Sequence, residues 1–279
     1  MKLAVVTASV DPDATRQFWG SWRQRAHLPW DLVMVHNAPG AGSGTSEVPV
    51  HSHVEEGHTY PGGSFIWAKY DTVMGPVPSF WAGISQAAMR GADIIACLHD
   101  DLRIDEDGWD AKVVQFFYDH PQAGLLGFGG AKGFGEEGIY QHPYDKMDLV
   151  RKDFVSNMEG AEAHGRRVTE PTQVACLDGF SQIGRMAPMV RWFRHLKNLG
   201  VVHHAYDSAL GAYFHADHYE AWMLPIQCHH AGGRTAVLSK AYHEWLAARR
   251  SSDATEHEVA HRILYEDLRG YGVLPLRVE

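Results

Sequence analysis

The sequence predicts an α/β protein built on a mostly parallel sheet, and three observations carry that prediction. First, residues 3–8, 31–36 and 94–99 are near-continuous apolar runs, the signature of strands covered on both faces. Second, segments of helical spacing fall between and after them, at 14–25, 80–90 and 109–118. Third, the run Ile94-Ile95-Ala96-Cys97-Leu98 stops abruptly on His99-Asp100-Asp101. Parallel sheets bind ligands at the carboxyl ends of their strands. Hard divalent cations are held there by one or two carboxylates, with substrate phosphates completing the shell.

Read in order, the strand at 31–36 closes on Asn37-Ala38-Pro39-Gly40, and 40–63 reads as loop with one short strand at 48–50. The helix at 80–90 runs into Gly91, and that at 109–118 starts near Asp107 or Gly108. A further strand is expected at 123–128. The glycine-dense stretch 129–138 reads as a flexible loop over the active site, with a phosphate cradle as the alternative. It matches neither GxxxxGK[ST] nor GxGxxG. Residues 140–167 read as polar and irregular. Order returns where 174–177 leads into Asp178-Gly179-Phe180. Helices follow at 190–199 and 207–218, then a last strand at 221–228 before His229-His230. The tail 239–268 is charged and helical. One domain over 1–235 with a helical extension at 236–279 packed on it is the expected organisation.

The bulk properties narrow the function. Formal net charge is −9 over 279 residues, which argues against wholesale binding to nucleic acid. Cys97, Cys176 and Cys228 form no CxxC and cannot all pair, so buried free thiols in a reducing compartment are expected. The N-terminal apolar stretch is too short for a signal peptide, and no stretch approaches a membrane span. A cytoplasmic enzyme is the expectation.

Four landmarks now stand in order: a first strand ending near Thr7-Ala8-Ser9, His99-Asp100-Asp101-Leu102, Asp178-Gly179-Phe180 ahead of Arg185, and Tyr206-Asp207 some twenty residues before Pro225 and His229-His230. In this order the chain, over about residues 2–233, resembles the family 2 glycosyltransferases. The resemblance implies a GT-A-type (Rossmann-like) fold, a mostly parallel central sheet flanked by helices. It implies a nucleoside-diphosphate sugar donor, a UDP-sugar being favoured, and Mn²⁺ or Mg²⁺.

By that resemblance Asp101 is the metal ligand, and Asp100 supports it or touches the ribose. His99 departs from the family's first acid, and either meets the nucleotide or only packs. His230 or His229 is the second ligand, His230 being favoured because Gly232-Gly233 follows. An imidazole ligand tilts the metal towards Mn²⁺. Asp207 is the base that takes the acceptor proton in an inverting transfer, or an N-cap of its helix, and Asp217 is the second choice. Thr7, Ala8 and Ser9 line the nucleotide base, and Gly83 carries over from the family's Asn-x-Gly. Asp178 and Gly179 line the sugar pocket. Arg185 neutralises phosphate or pairs with a surface acid.

A nucleotidyltransferase is a rival, but residues 8–15 lack the Gly, Lys and Arg of a triphosphate loop. A zinc protein built on His203, His204, His215, His218, His229 and His230 lacks HExxH and a cysteine pair. A non-catalytic sugar-binding protein would have lost the acids retained here. The acceptor is open between a glycan and a modified base in DNA, for which Arg166, Arg167, Arg185, Arg191, Arg194, His195 and Lys197 would make a basic rim.

Overall fold

The computed structural model describes residues 1–38, 42–49, 62–135, 151–160, 165–232 and 240–279. Five strands form one half of a nine-stranded sheet: β1 (Leu3–Ser9), β2 (Asp31–Asn37), β3 (Gly44–Pro49), β4 (Ser64–Tyr70) and β5 (Ile94–Leu98). The other half is β7 (Ala123–Gly127), β11 (Thr172–Val174), β13 (Ser181–Arg185) and β14 (Glu220–Met223). The strand order is β11-β14-β7-β13-β5-β1-β2-β4-β3. Strands β4, β2, β1, β5, β7 and β14 run one way, and β3, β13 and β11 the other. The antiparallel β13 lies between β5 and β7, so its start meets the carboxyl end of β5, with Ser181 opposite Leu98.

Both faces of this sheet are covered, which explains the continuous apolar runs. Side chains alternate along a strand. Ala4, Val6, Val33, Ile95 and Cys97 enter one core cluster with α2 (Pro76–Met89), α4 (Met186–Asn198) and α5 (Tyr206–Ala216). Leu3, Val5, Leu32, Met34, Ile94, Ala96 and Leu98 enter the other, with α1 (Arg16–Gln24) and α3 (Trp109–Asp119). Two C-terminal helices follow, α6 (Lys240–Ala248) and α7 (Asp253–Tyr271). Ala260, Leu264 and Leu268 of α7 belong to the first cluster. Ser252 caps α7, its Oγ accepting from the Thr255 amide at 3.2 Å, and Gly272 at φ 68° ends it.

Two small sheets finish the site end. One has the order β10-β15-β6, from β6 (Leu102–Ile104), β10 (Met158–Glu159) and β15 (Cys228–His230). The other joins β8 (Gly129–Phe134), β9 (Arg151–Ser156), β12 (Cys176–Leu177) and β16 (Leu276–Arg277). Trp22 Nε1 donates to the Leu102 carbonyl at 2.7 Å, and Ser21 Oγ accepts from the Ile104 amide at 3.0 Å. These bonds tie β6 to α1.

Several expectations are corrected. The described part of 129–138 is a strand, not a flexible loop or phosphate cradle. Its glycines serve close packing: a Cβ on Gly130 would lie 2.5 Å from the Cys176 carbonyl oxygen. Residues 136–138, like Gly233 and residues 40, 41 and 50–61 of the expected loop at 40–63, lie outside the described residues. The irregular stretch 140–167 contains β9 and β10. Strand β4 has no counterpart in the expected elements, because its burial neither alternates nor runs continuously. The expected strand 221–228 is two strands in different sheets, broken around Pro225. The helical tail is two helices, parted near Arg250 at φ 53°.

Candidate active site

The His99 amide still donates to its register partner across the β5–β13 pair, the Phe180 carbonyl, at 3.0 Å, and β5 ends just there. The chain then turns, with the Leu102 amide returning to the His99 carbonyl at 3.1 Å. Asp100 and Asp101 sit in this turn, and both are buried. Antiparallel pairing of β6 with β15 sets His230 opposite Leu102, and the Ala231 amide donates to the Asp101 carbonyl at 3.2 Å. His230 Nε2 consequently stands 3.1 Å from Asp101 Oδ1, both side chains being 6% exposed. The His230 ring stacks on Phe180 at 5.2 Å between centroids.

His99, Asp101 and His230 each offer a ligand atom, all within 4.8 Å of one another. Successive strand residues face opposite ways, so His229 turns from this group. Its ring lies beside Gly160, 3.0 Å from where a Cβ there would stand. Of the two histidines, His230 is therefore the one that faces Asp101. Burial, reinforced by His230, pushes His99 below the usual imidazole range, towards the neutral form a metal requires. Burial also pushes the Asp101 carboxyl up, but the hydrogen bond and charge of His230 outweigh it and hold Asp101 below the usual carboxylate range.

A second group of acids lies across His99. His99 Nε2 is 3.3 Å from the Tyr206 hydroxyl, and Tyr206 is the first residue of α5. Asp207 follows in the first helical turn, where the helix dipole favours its charge. It is not the N-cap: that position is Ala205, at φ 56°. Asp207 packs over the Gly179 backbone, and a Cβ on Gly179 would lie 3.1 Å from its Oδ2. Arg151 Nη1 lies 3.4 Å from Asp178 Oδ2 and 3.9 Å from Asp207 Oδ2. Asp178 is anchored through its amide, which donates to the Gly129 carbonyl at 2.9 Å. Arg151 and Tyr206 were missing from the expected site. Arg151 sits in a stretch with no periodicity, and nothing local marks it. Tyr206 had a signal, since it directly precedes Asp207.

Other expected residues are placed elsewhere. Arg185 lies at the far end of β13, opposite Ile94 rather than Leu98. It donates to the Ala123, Phe117 and His120 carbonyls at 2.8, 2.9 and 3.3 Å, so it is a structural tie and not a phosphate ligand. Gly83 lies in α2 against the sheet, where a Cβ would come within 2.2 Å of Val6 Cγ1. It permits helix–sheet contact rather than touching a donor. Asp217 follows the last turn of α5, some 15 Å of helix from Asp207, and pairs with Arg191 at 2.7 Å. Thr7, Ala8 and Ser9 do end β1 at the carboxyl edge. Thr7 Oγ1 is buried with no hydrogen-bond partner among the described residues. Ser9 Oγ is engaged by the Asp11 amide at 3.2 Å. The supposed basic rim is largely engaged: Arg167 with Glu159, Arg191 with Asp217 and His195 with Asp267.

No protein-family model matches the sequence, and no curated protein matches it. Among solved structures the chain is similar to GalNAc-T7 with UDP, GalNAc and Mn²⁺, at 10% identity and a TM-score of 0.51, over 96% of this chain and 54% of that one. S. aureus TarS 1-349 aligns at 13% identity and a TM-score of 0.48, over 84% of this chain and 61% of that one. The chain thus spans about half to three fifths of these proteins. Both are GT-A glycosyltransferases. The fold here, a large mostly parallel central sheet flanked by helices, is the GT-A fold.

Proposed function

We propose that the chain is a metal-dependent, inverting glycosyltransferase that moves a sugar from a UDP-sugar to an acceptor hydroxyl. The observation that carries this reading is the meeting of Asp101, His230 and His99 at the carboxyl end of β5, with Asp207 and Asp178 facing them across His99. The donor set suits a divalent ion: the buried Asp101 carboxylate and His230 imidazole with the half-buried His99, which is favoured neutral. Two imidazoles favour Mn²⁺ over Mg²⁺. When bound, the ion would stabilise negative charge on the departing diphosphate.

The remaining work falls to the protein's own side chains. Asp207 accepts the proton of the attacking hydroxyl. Arg151, shared between Asp178 and Asp207, sets a positive charge between the two carboxylates. Asp178 accepts hydrogen bonds from donor-sugar hydroxyls. Tyr206 orients His99 through the 3.3 Å contact. Pairing of Arg167, Arg191 and His195 with acids favours a glycan acceptor over DNA.

The test is calorimetric titration of UDP-sugars with Mn²⁺, with Mg²⁺ and after chelation, followed by turnover. Asp101→Ala is expected to abolish metal-dependent donor binding. Asp207→Asn is expected to keep donor binding and lose turnover. Equal donor affinity in wild type and Asp101→Ala defeats the proposal.

A further inference from the structure

A second cluster of metal-binding side chains lies away from Asp101 and His230. The turn between α4 and α5 carries His203 and His204, and the first residue of α7, Asp253, faces them. His203 Nδ1 lies 3.1 Å from His204 Nε2, and His204 Nε2 lies 3.0 Å from Asp253 Oδ1. All three donor atoms fall within 4.8 Å of one another. Hydrogen bonding does not satisfy this arrangement well. A ring nitrogen has one proton or one lone pair, so His204 Nε2 can serve only one of its two neighbours properly. One cation between the three atoms would serve all of them. A tetrahedral ion with bonds of about 2.0–2.1 Å spaces its ligands by about 3.3 Å, close to the two separations seen.

The surroundings are those of an oriented ligand set. The Tyr242 hydroxyl of α6 donates to the same Asp253 Oδ1 at 2.6 Å, fixing the carboxylate. The His257 ring of α7 stands 4.9 Å from that of His204, between centroids. The backbone is held in an uncommon conformation, with His204 at φ 22° and Ala205 at φ 56°. Such strain persists where surrounding contacts over-determine it.

We propose that His203, His204 and Asp253 bind a transition-metal ion of the Zn²⁺ class, clamping the start of α7 to the α4–α5 turn. Two imidazoles and one carboxylate suit zinc or cobalt and not magnesium or calcium. The ion is a structural staple. It holds the chain immediately before Tyr206 and Asp207, and so fixes where α5 begins.

The proposal is independent of the donor-site reading, and its experiment keeps the two apart. Untagged, chelator-stripped full chain carrying Asp101→Asn and His230→Gln is titrated with Co²⁺ by visible absorption and with Zn²⁺ by calorimetry. One equivalent is expected to bind, with the intense visible absorption of a cobalt ion in a tetrahedral site. Adding His204→Gln, or separately Asp253→Asn, is expected to remove that equivalent while circular dichroism stays unchanged. Two different variants keep the test sound if one fails to fold. Zinc at a hundredfold excess over its Kd is expected to raise the Tm of the donor-site variant by about 5–10 °C. No bound ion in the donor-site variant, or an equivalent that survives both added substitutions, overturns the proposal.

Discussion

Gly179→Ala isolates the position of Asp207 from its chemistry. Gly179 has no positive φ, so alanine suits the backbone. The new methyl would lie 3.1 Å from Asp207 Oδ2, 3.2 Å from its Cβ and 3.3 Å from its Cγ. Comfortable contacts between carbon atoms lie at about 3.5–4.0 Å, so Asp207 must retreat by a few tenths of an ångström. The helix cannot easily take up the shift, because α5 approaches Ala175 closely at Gly211, where a Cβ would stand 2.6 Å from the Ala175 carbonyl oxygen. The displacement therefore falls on the Asp207 side chain. Crowding costs about 1–3 kcal/mol, and the lower chain entropy of alanine returns about 0.4–1 kcal/mol. The net loss of stability is about 0–2.5 kcal/mol, a fall in Tm of at most roughly 10 °C. Misplacing a catalytic group by a fraction of an ångström is expected to lower kcat about tenfold. The assay is sugar release and transfer from a UDP-sugar at saturating donor, with donor Kd measured by calorimetry and Tm by scanning calorimetry. Unchanged kcat in the folded variant would refute the role given to Asp207, as would a loss of donor affinity that accounts for the whole drop in activity.

Further outcomes follow from the same contacts. Gly83→Ala is expected to destabilise by about 1–3 kcal/mol, despite alanine's better helix propensity, because its Cβ would meet Val6 at 2.2 Å. Thermal unfolding checks this, with donor affinity of the folded fraction unchanged. Arg185→Ala is expected to lose about 1.5–3 kcal/mol from its bonds to main-chain carbonyls without altering donor binding. A donor-specific loss would return Arg185 to the site. Burial pushes the Cys176 and Cys228 thiols up to about 12, and Cys97 well above its usual value. Thiolate at pH 8 is then about one part in ten thousand for the first two, so iodoacetamide should label none of the three cysteines before unfolding. The unfolded chain releases these protons above about pH 8.5 while the folded chain retains them. Stability should therefore fall as pH rises beyond that point, in a urea series from pH 7 to 10.

Much of the α/β core is legible in the chain itself. Runs such as 3–8 and 94–99 are almost wholly apolar because alternate side chains enter two separate clusters. The same logic misses β4, whose pattern is mixed. It misreads β8, whose glycines look like a loop but exist so that Cys176 and Phe180 can approach. Periodicity reports one element's exposure. It is silent on what a neighbouring strand requires.

The sequence alone determined the strands of the parallel core other than β4, the place where β5 stops and the acids that stand there. Only the tertiary structure decided which residues those acids meet. The pairing of β15 with β6 brings His230 and not His229 beside Asp101, and the approach of α5 to Gly179 brings Asp207 beside Asp178. Antiparallel β13 carries Arg185 to the opposite edge of the sheet. Arg151 enters through β9, from a stretch with no pattern. The physical reason is range. A strand's burial and length follow from neighbours a few residues away, whereas a metal site is a meeting of side chains far apart in the chain, set by register and by the one-residue alternation of strand faces.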